Sequence, residues 1–328
     1  MEGTFKRETL SDRILESVDT PDRQAMLIKS VPSAAAVSYT GPVPYWLTDL
    51  HKVETADQKD PSADATLLAE LDRARLKMTR RTQPTTYARR NIGADEIYFV
   101  HRGSATIQTE VGDIAAPLGR TIFIGRGIGY RVLPESPDFM ALIIECDEVI
   151  AAHRSVQVAK VPVKTPGPLT ERKPFAAANG QWIERIVTPA WTANLVRDFD
   201  PIGTSEIIGD AQFVWGVDMD DIPAHSPVAP MPGLPFVLFD CPVLEWAVSK
   251  RSDPLPFYHR NIRKNELEFC HFGGADQDTE LGYLSAPPGS LYNLPRGIGH
   301  TPCNRTPPLV AHIWETTGEV RVNKDILK

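Results

Sequence analysis

The sequence predicts an all-β protein made of two tandem copies of one jelly-roll unit, with a few peripheral helices. Three observations carry this expectation. Arg89-Arg90-Asn91-Ile92 returns as His259-Arg260-Asn261-Ile262, and Gly125-Arg126-Gly127-Ile128-Gly129-Tyr130 returns as Pro295-Arg296-Gly297-Ile298-Gly299-His300; the offset is the same in both, 259 − 89 = 300 − 130 = 170. Between these segments the register holds without a gap: Glu96 meets Glu266, Phe99 meets Phe269, His101 meets His271, Gly103 meets Gly273, Gly112 meets Gly282 and Gly119 meets Gly289. Turn positions repeated at a constant spacing mean a repeated fold, and two copies make a tandem duplication rather than a solenoid. Finally, 29 prolines and 22 glycines divide the 328 residues into short runs, as turns divide an all-β chain.

The elements follow in order. Residues 10–18 form a weak helical pattern. Residues 64–78 carry Leu67, Leu68, Leu71 and Leu76 at helical spacing, with Ser62 as a candidate N-cap, and predict a helix outside the repeat. Within the repeat, residues 96–102 read as a β-rich strand ending at Gly103, residues 104–111 alternate and end at Gly112, and residues 121–124 follow Gly119. The run Val161-Pro-Val-Lys-Thr-Pro-Gly-Pro-Leu-Thr is the best candidate link. A boundary near residue 165 gives an N-terminal unit, 1–165, and a C-terminal unit, 166–328.

Composition narrows the function. The charge balance is 35 basic to 42 acidic residues, a net of −7 with pI near 5.7. This argues against nucleic acid as the main partner, because phosphate binding needs a basic footprint. The polar start, Met-Glu-Gly-Thr-Phe-Lys-Arg-Glu, does not read as a signal peptide, and no apolar run reaches the roughly 18 residues that span a bilayer. Cys146, Cys241, Cys270 and Cys303 form no CxxC pair and read as reduced cysteines of a cytoplasmic protein; Cys270 and Cys303 are expected to be small buried residues.

Chemistry enters at two positions. In the second copy the repeat boundaries are His259 and His300; in the first they are Arg89 and Tyr130. Two histidines present together in one copy and absent together from the other point to a shared task, and metal binding is the foremost. Arg89 cannot serve, since it stays protonated. On a strand, residues 259 and 261 share a face. Two imidazoles and a carboxylate on one face, with positions left open, suit the non-haem Fe(II) oxygenases. Asn261 and Glu266 recur as Asn91 and Glu96, so a structural role competes with ligation for both. His271 recurs as His101 and is expected to be structural.

These residues resemble the two cupin motifs. His259-x-Asn261, Glu266 and Gly273 are similar to the first, with asparagine where many cupins have a second histidine. Gly289, Pro295-x-Gly297, His300 and Asn304 match the second. A narrower resemblance lies in Leu255-Pro256-Phe257-Tyr258-His259-Arg260-Asn261, which looks like a signature of the homogentisate 1,2-dioxygenase family; residues 95–103 with Gly125-Arg126-Gly127-x-x-Tyr130 look like that family's degenerate N-terminal cupin. The chain length is closer to the large subunit of the two-component hydroquinone 1,2-dioxygenases. The resemblance implies a bicupin with Fe(II) held by His259, Glu266, His300 and Asn261 in the C-terminal unit, a metal-free N-terminal unit, and a small second subunit that helps build the site. It implies acid/base help from an upstream histidine, for which His225 is the candidate, with a surface loop histidine as the alternative. Tyr258 is the second candidate at the reaction centre, and Trp246, Phe257 and Phe269 line a pocket or simply pack the core.

In these families the carboxylate usually follows the asparagine by three residues. Three residues after Asn261 stands Lys264, and Asn265 and Glu266 follow it in turn. Either Glu266 reaches the metal through a bulge, or Asn265 and Glu268 share the task. The implied reaction is ring cleavage of a para-dihydroxylated aromatic with O₂. The alternatives are a non-oxidative metal-dependent bicupin, such as an isomerase, and a non-enzymatic small-molecule-binding cupin. The oligomeric state, homo-oligomer or hetero-oligomer, is open at this point, and no nucleic acid or membrane partner is expected.

Overall fold

The structure, a computed structural model, describes residues 14–20, 23–28, 40–167, 179–203, 213–228, 234–250 and 258–327, without the side chains of 14–28, 258 and 303–308. The chain packs as two compact units. One contains residues up to 53, 151–159 and 223 onward; the other contains 54–150 and 160–222. A cut at residue 165 therefore separates the sequence repeats but not the compact units.

The unit built on the first copy is a sandwich of two sheets. One sheet runs Val214–Asp218, Arg120–Ile124, Asp95–Arg102, Met140–Cys146, Ala74–Thr79 and Thr66–Leu71; the other runs Thr192–Arg197, Trp182–Val187, Ala88–Asn91, Gly129–Pro134, Ala105–Thr109 and Gly112–Ala116. Alternate residues of both sheets, among them Val100, Ile107, Ile114, Ile122, Val132 and Ile143, form one contiguous apolar core.

The unit built on the second copy repeats this plan with longer strands. Asn265–Thr279 and His300–Thr316 each run continuously where the first copy has two strands, and they pair with each other through bulges between Cys270 and Phe272, Phe272 and Gly274, and Ala275 and Gln277. Bulges let one strand bend across both layers. Turn geometry repeats as well. Gly112 and Gly282 take φ of 124° and 116°, and Gly127 and Gly297 take 85° and 84°, all in the region that glycine enters without strain.

The two copies have exchanged arms. Trp182–Val187 runs parallel to Ala88–Asn91 with Arg185 opposite Arg89, and Ile14–Thr20 runs parallel to Tyr258–Asn261 with Leu15 opposite His259. Leu15 and Arg185 are themselves 170 residues apart (185 − 15). Likewise Trp46–Asp49 pairs with Ser290–Leu294 as Val214–Asp218 pairs with Arg120–Ile124. Each barrel is thus completed by the segment preceding the other one. The proline-rich stretch joins this framework: Lys164 and Gly216 exchange two backbone hydrogen bonds of 2.8 Å.

Two expected helices are strands. Residues 64–78 form the hairpin Thr66–Leu71 and Ala74–Thr79, turned at Asp72 with φ 63°, and Ser62 sits in the preceding turn with its backbone N–H donating to Asp60. The leucines do bury, Leu68, Leu71 and Leu76 completely, but along a sheet. Pairing of Ala74–Thr79 with Met140–Cys146 outweighs a helix propensity worth only tenths of a kcal/mol per residue. Similarly, Ile14–Thr20 replaces the helical pattern at 10–18, whose first residues lie outside the described ones. Among the described residues no helix is long and apolar enough to cross a membrane.

Candidate metal centre

Strand pairing brings the two histidines together. His259 on Tyr258–Asn261 and His300 on His300–Thr316 are direct cross-strand partners, and their ring centroids lie 4.2 Å apart. Glu266 arrives from Asn265–Thr279, opposite Leu294 and Glu315. Its Oε1 lies 3.8 Å from His259 Nε2 and its Oε2 lies 3.3 Å from His300 Nε2. One donor atom of each residue falls within 4.8 Å of the others. His300 and Glu266 are buried, at 2% and 5% side-chain exposure, while His259 is 17% exposed at the mouth of the group.

These residues fit a divalent cation. His300 Nδ1–H donates to the Ile298 carbonyl at 3.1 Å, which turns the Nε2 lone pair inward. That Nε2 lies near the Glu266 carboxylate yet makes no hydrogen bond of acceptable geometry. A buried imidazole nitrogen and a buried carboxylate that converge on one point suit a cation between them. Two imidazole nitrogens and one carboxylate oxygen suit Fe, Zn or Mn alike. Burial alone would raise the Glu266 carboxyl, but the charges of His300 and His259 outweigh it and hold the group well below the usual range. Burial likewise opposes a charge on His300, and Glu266 reverses this, so the imidazole is raised.

The pleat places Asn265 and Glu266 on opposite faces of their strand. Asn265 donates from Nδ2 to the Gly318 carbonyl at 2.6 Å and accepts the Arg296 N–H at 2.9 Å. Asp95 accepts the Arg126 N–H at 2.9 Å in the first copy. Residue 265 therefore ties down the Pro-Arg-Gly turn, and its neighbour Glu266 faces the barrel interior. The Asn261 carbonyl accepts the Gly297 N–H at 2.7 Å, as Asn91 does with Gly127. Asn261 also lies two residues from His259 on the same strand, on the same face.

Other expected residues scatter. His225 is exposed in the turns at 223–228 and does not join the His259–Glu266–His300 group. The Tyr258 side chain, Phe257 and the side chains of Cys303 and Asn304 lie outside the described residues. Trp246 and Phe269 are fully buried, and the Trp246 indole N–H donates to His312 at 3.0 Å. His271 is buried and neutral, pushed down to about 2 by burial and the nearby His312, in keeping with a structural role. Cys146, Cys241 and Cys270 form no disulfide among the described residues.

Glu268, two residues along from Glu266 and also inward-facing, is 5% exposed. Burial, reinforced by the Glu266 charge, pushes its carboxyl up to about 8. Tyr292 donates to its Oε2 at 2.7 Å. The signal for this residue was present in the repeat register, where the first copy has Tyr98 (268 − 98 = 170).

Comparison with solved structures agrees with this architecture. The Escherichia coli protein YlbA, described under a DUF861 family model, superposes with a TM-score of 0.50 at 7% identity, covering 85% of this chain and 93% of that one. The chain has the cupin fold. A cupin 2 conserved barrel domain protein from Leptotrichia buccalis follows at TM-score 0.44 and 9% identity, covering 83% and 99% of the two chains. Oxalate decarboxylase from Lactobacillus farciminis gives 0.46 and 12%, covering 87% and 90%. No protein-family profile matches the sequence. Both cupin motifs lie where the metal group forms: the first supplies His259 and Glu266, the second the Pro295-Arg296-Gly297 turn and His300.

Proposed function

We propose that this bicupin is an Fe(II)-dependent dioxygenase that opens the ring of a para-dihydroxylated aromatic such as hydroquinone or homogentisate. The observation that supports it most is the His259–Glu266–His300 group, gathered inside one barrel and missing from its duplicate. The sequence resemblance around 255–261 supplies the substrate class. His259, Glu266 and His300 hold the metal, with Asn261 as fourth ligand. Fe(II) held there would supply open positions for a phenolic oxygen and O₂ and a path for electron density between them.

The chain's own residues prepare that meeting. The Ile298 carbonyl fixes the tautomer of His300. The buried walls around Glu266 and His300 exclude water and strengthen every charge interaction inside. Burial and the Glu266 charge raise the Glu268 carboxyl, which favours its protonated form beside the Glu266 carboxylate. The working environment is the cytoplasm, and a small second subunit completes the site, as the same resemblance implies.

The test is anaerobic reconstitution of the full chain with Fe(II), followed by oxygen uptake with hydroquinone, homogentisate and gentisate in parallel, with and without a candidate small subunit. Stoichiometric uptake with one of the three is expected. Uptake with none would replace this reading by a non-oxidative metal enzyme using the same ligands for Zn or Mn.

A further inference from the structure

Among the inward positions of the second barrel that differ from the first, three concern groups other than the histidines and touch one another. Tyr98 becomes Glu268, Ile107 becomes Gln277 and Ile122 becomes Tyr292, each at the offset of 170. In the first barrel Ile107 and Ile122 belong to one continuous apolar core. In the second, among the described residues, apolar clusters lie around Cys270, Ala275, Leu309 and Ala311 and around Leu284, Ala286, Tyr292 and Leu294. The polar side chains stand among them at 5%, 0% and 0% exposure.

They form one hydrogen-bonded set. Tyr292 Oη–H donates to Glu268 Oε2 at 2.7 Å, and Gln277 Nε2 donates to Tyr292 Oη at 3.1 Å and to Glu268 Oε2 at 3.5 Å. Glu268 follows Glu266, the carboxylate of the candidate metal group, by two residues on the same strand, so both face the barrel interior. With the amide nitrogen spent on these acceptors, Gln277 Oε1 remains a fully buried acceptor without a partner. An unsatisfied buried acceptor costs about 1–3 kcal/mol. The first barrel shows that isoleucine is compatible with the same fold at position 107. Burying an amide and a carboxyl at such positions is a cost that packing does not explain, and costs of this kind concentrate at functional sites.

We propose that Glu268, Tyr292 and Gln277 form a polar seat for the second hydroxyl of the substrate, which donates to Gln277 Oε1 while the first oxygen goes to the metal group. This rests on the dioxygenase reading above and deepens it. Gln277 is then the residue that selects rings with two hydroxyls over rings with one. Glu268 and Tyr292 are positioning residues that hold the amide so that its carbonyl faces the ligand.

The test is calorimetry of hydroquinone and phenol binding to the full-length, Fe(II)-loaded protein under anaerobic conditions. The wild type should bind hydroquinone at least about tenfold more tightly than phenol, because a site built to accept a hydroxyl rejects the ring that lacks it. Gln277→Ile, which places the first barrel's residue in the second, should erase that ratio by weakening hydroquinone alone, with metal content unchanged. Tyr292→Phe should lower the ratio in the same direction and serves if Gln277→Ile does not fold. An unchanged ratio, or equal weakening of both ligands with the metal retained, overturns the seat. Failure of the loaded wild type to bind either ring overturns the dioxygenase reading itself and the seat with it, and oxygen uptake by the wild type separates the two failures.

Discussion

In the second barrel a carboxylate, Glu266, faces two imidazoles; in the first, its counterpart Glu96 faces a guanidinium. Arg89 stands at the position of His259 and donates to Glu96 at 2.9 Å and to Glu145 at 2.6 Å. Tyr130 stands at the position of His300 and shares a 2.8 Å hydrogen bond with Tyr98. The cavity at this first centre is about 20 Å³, room for a single water. One buried acidic position thus faces a built-in cation in one copy and a candidate site for an exchangeable one in the other. The difference also reaches the next layer. Glu145 is pulled down to about 2: burial opposes its charge, but Arg89, Lys77 and Arg75 outweigh it. Its counterpart Glu315 is raised by burial together with Glu245 and Glu266, against the pull of Lys264.

Breaking each centre should therefore have opposite consequences. The largest effect is expected for His300→Ala, which should lower metal affinity by more than about 100-fold, beyond the range seen when only the partners of ligands are changed, and abolish turnover while the protein stays soluble. Elemental analysis of the purified variant checks this, and full metal stoichiometry would remove His300 from the ligand set. Arg89→Ala should do the reverse. Metal content should not change, but Glu96 and Glu145 lose their buried cation, at a cost of about 3–5 kcal/mol in urea unfolding. A stable Arg89→Ala protein would mean that the guanidinium does not substitute for a metal.

The pH dependence sharpens the same contrast. The Glu145 carboxyl has a lower pKa folded, about 2, than unfolded, near 4.5. The unfolded chain therefore binds the extra proton, and the stabilisation is complete above pH 4.5 and lost as pH falls towards 2. Its size is at most about 3 kcal/mol. Denaturation curves of Glu145→Gln should lack this part of the acid limb; an unchanged acid limb would show that the carboxylate is not held by its three cations. The smallest effect is expected for Tyr98→Phe, which removes one hydroxyl pair from the first barrel and should cost about 1 kcal/mol with no change in metal binding.

Much of this was legible in the chain because a duplication supplies its own control. Turn glycines, the Glu266–Gly273 spacing and the paired replacement of Arg89 and Tyr130 by histidines are local facts, and the structure keeps all of them in one register. Residues 64–78 show where that reading stops. Leucine spacing there satisfies a helix and a hairpin alike, and only the strand Met140–Cys146, more than 60 residues away, selects the hairpin. Glu268 was legible as a difference from Tyr98 but not as a buried group, since burial depends on which way the strand is pleated.

The sequence alone determined the all-β duplication, the positions of its turns and the asymmetry of the two histidines, because these depend on residue identity and spacing along the chain. Only the tertiary structure decided that Glu266 rather than Asn265 faces His259 and His300, that Glu268, Tyr292 and Gln277 touch, and that the arms before the two barrels are exchanged. Each of these is a statement about which strands lie side by side and in which register. A shift of one residue reverses the face of every side chain, and no local pattern encodes the partner strand.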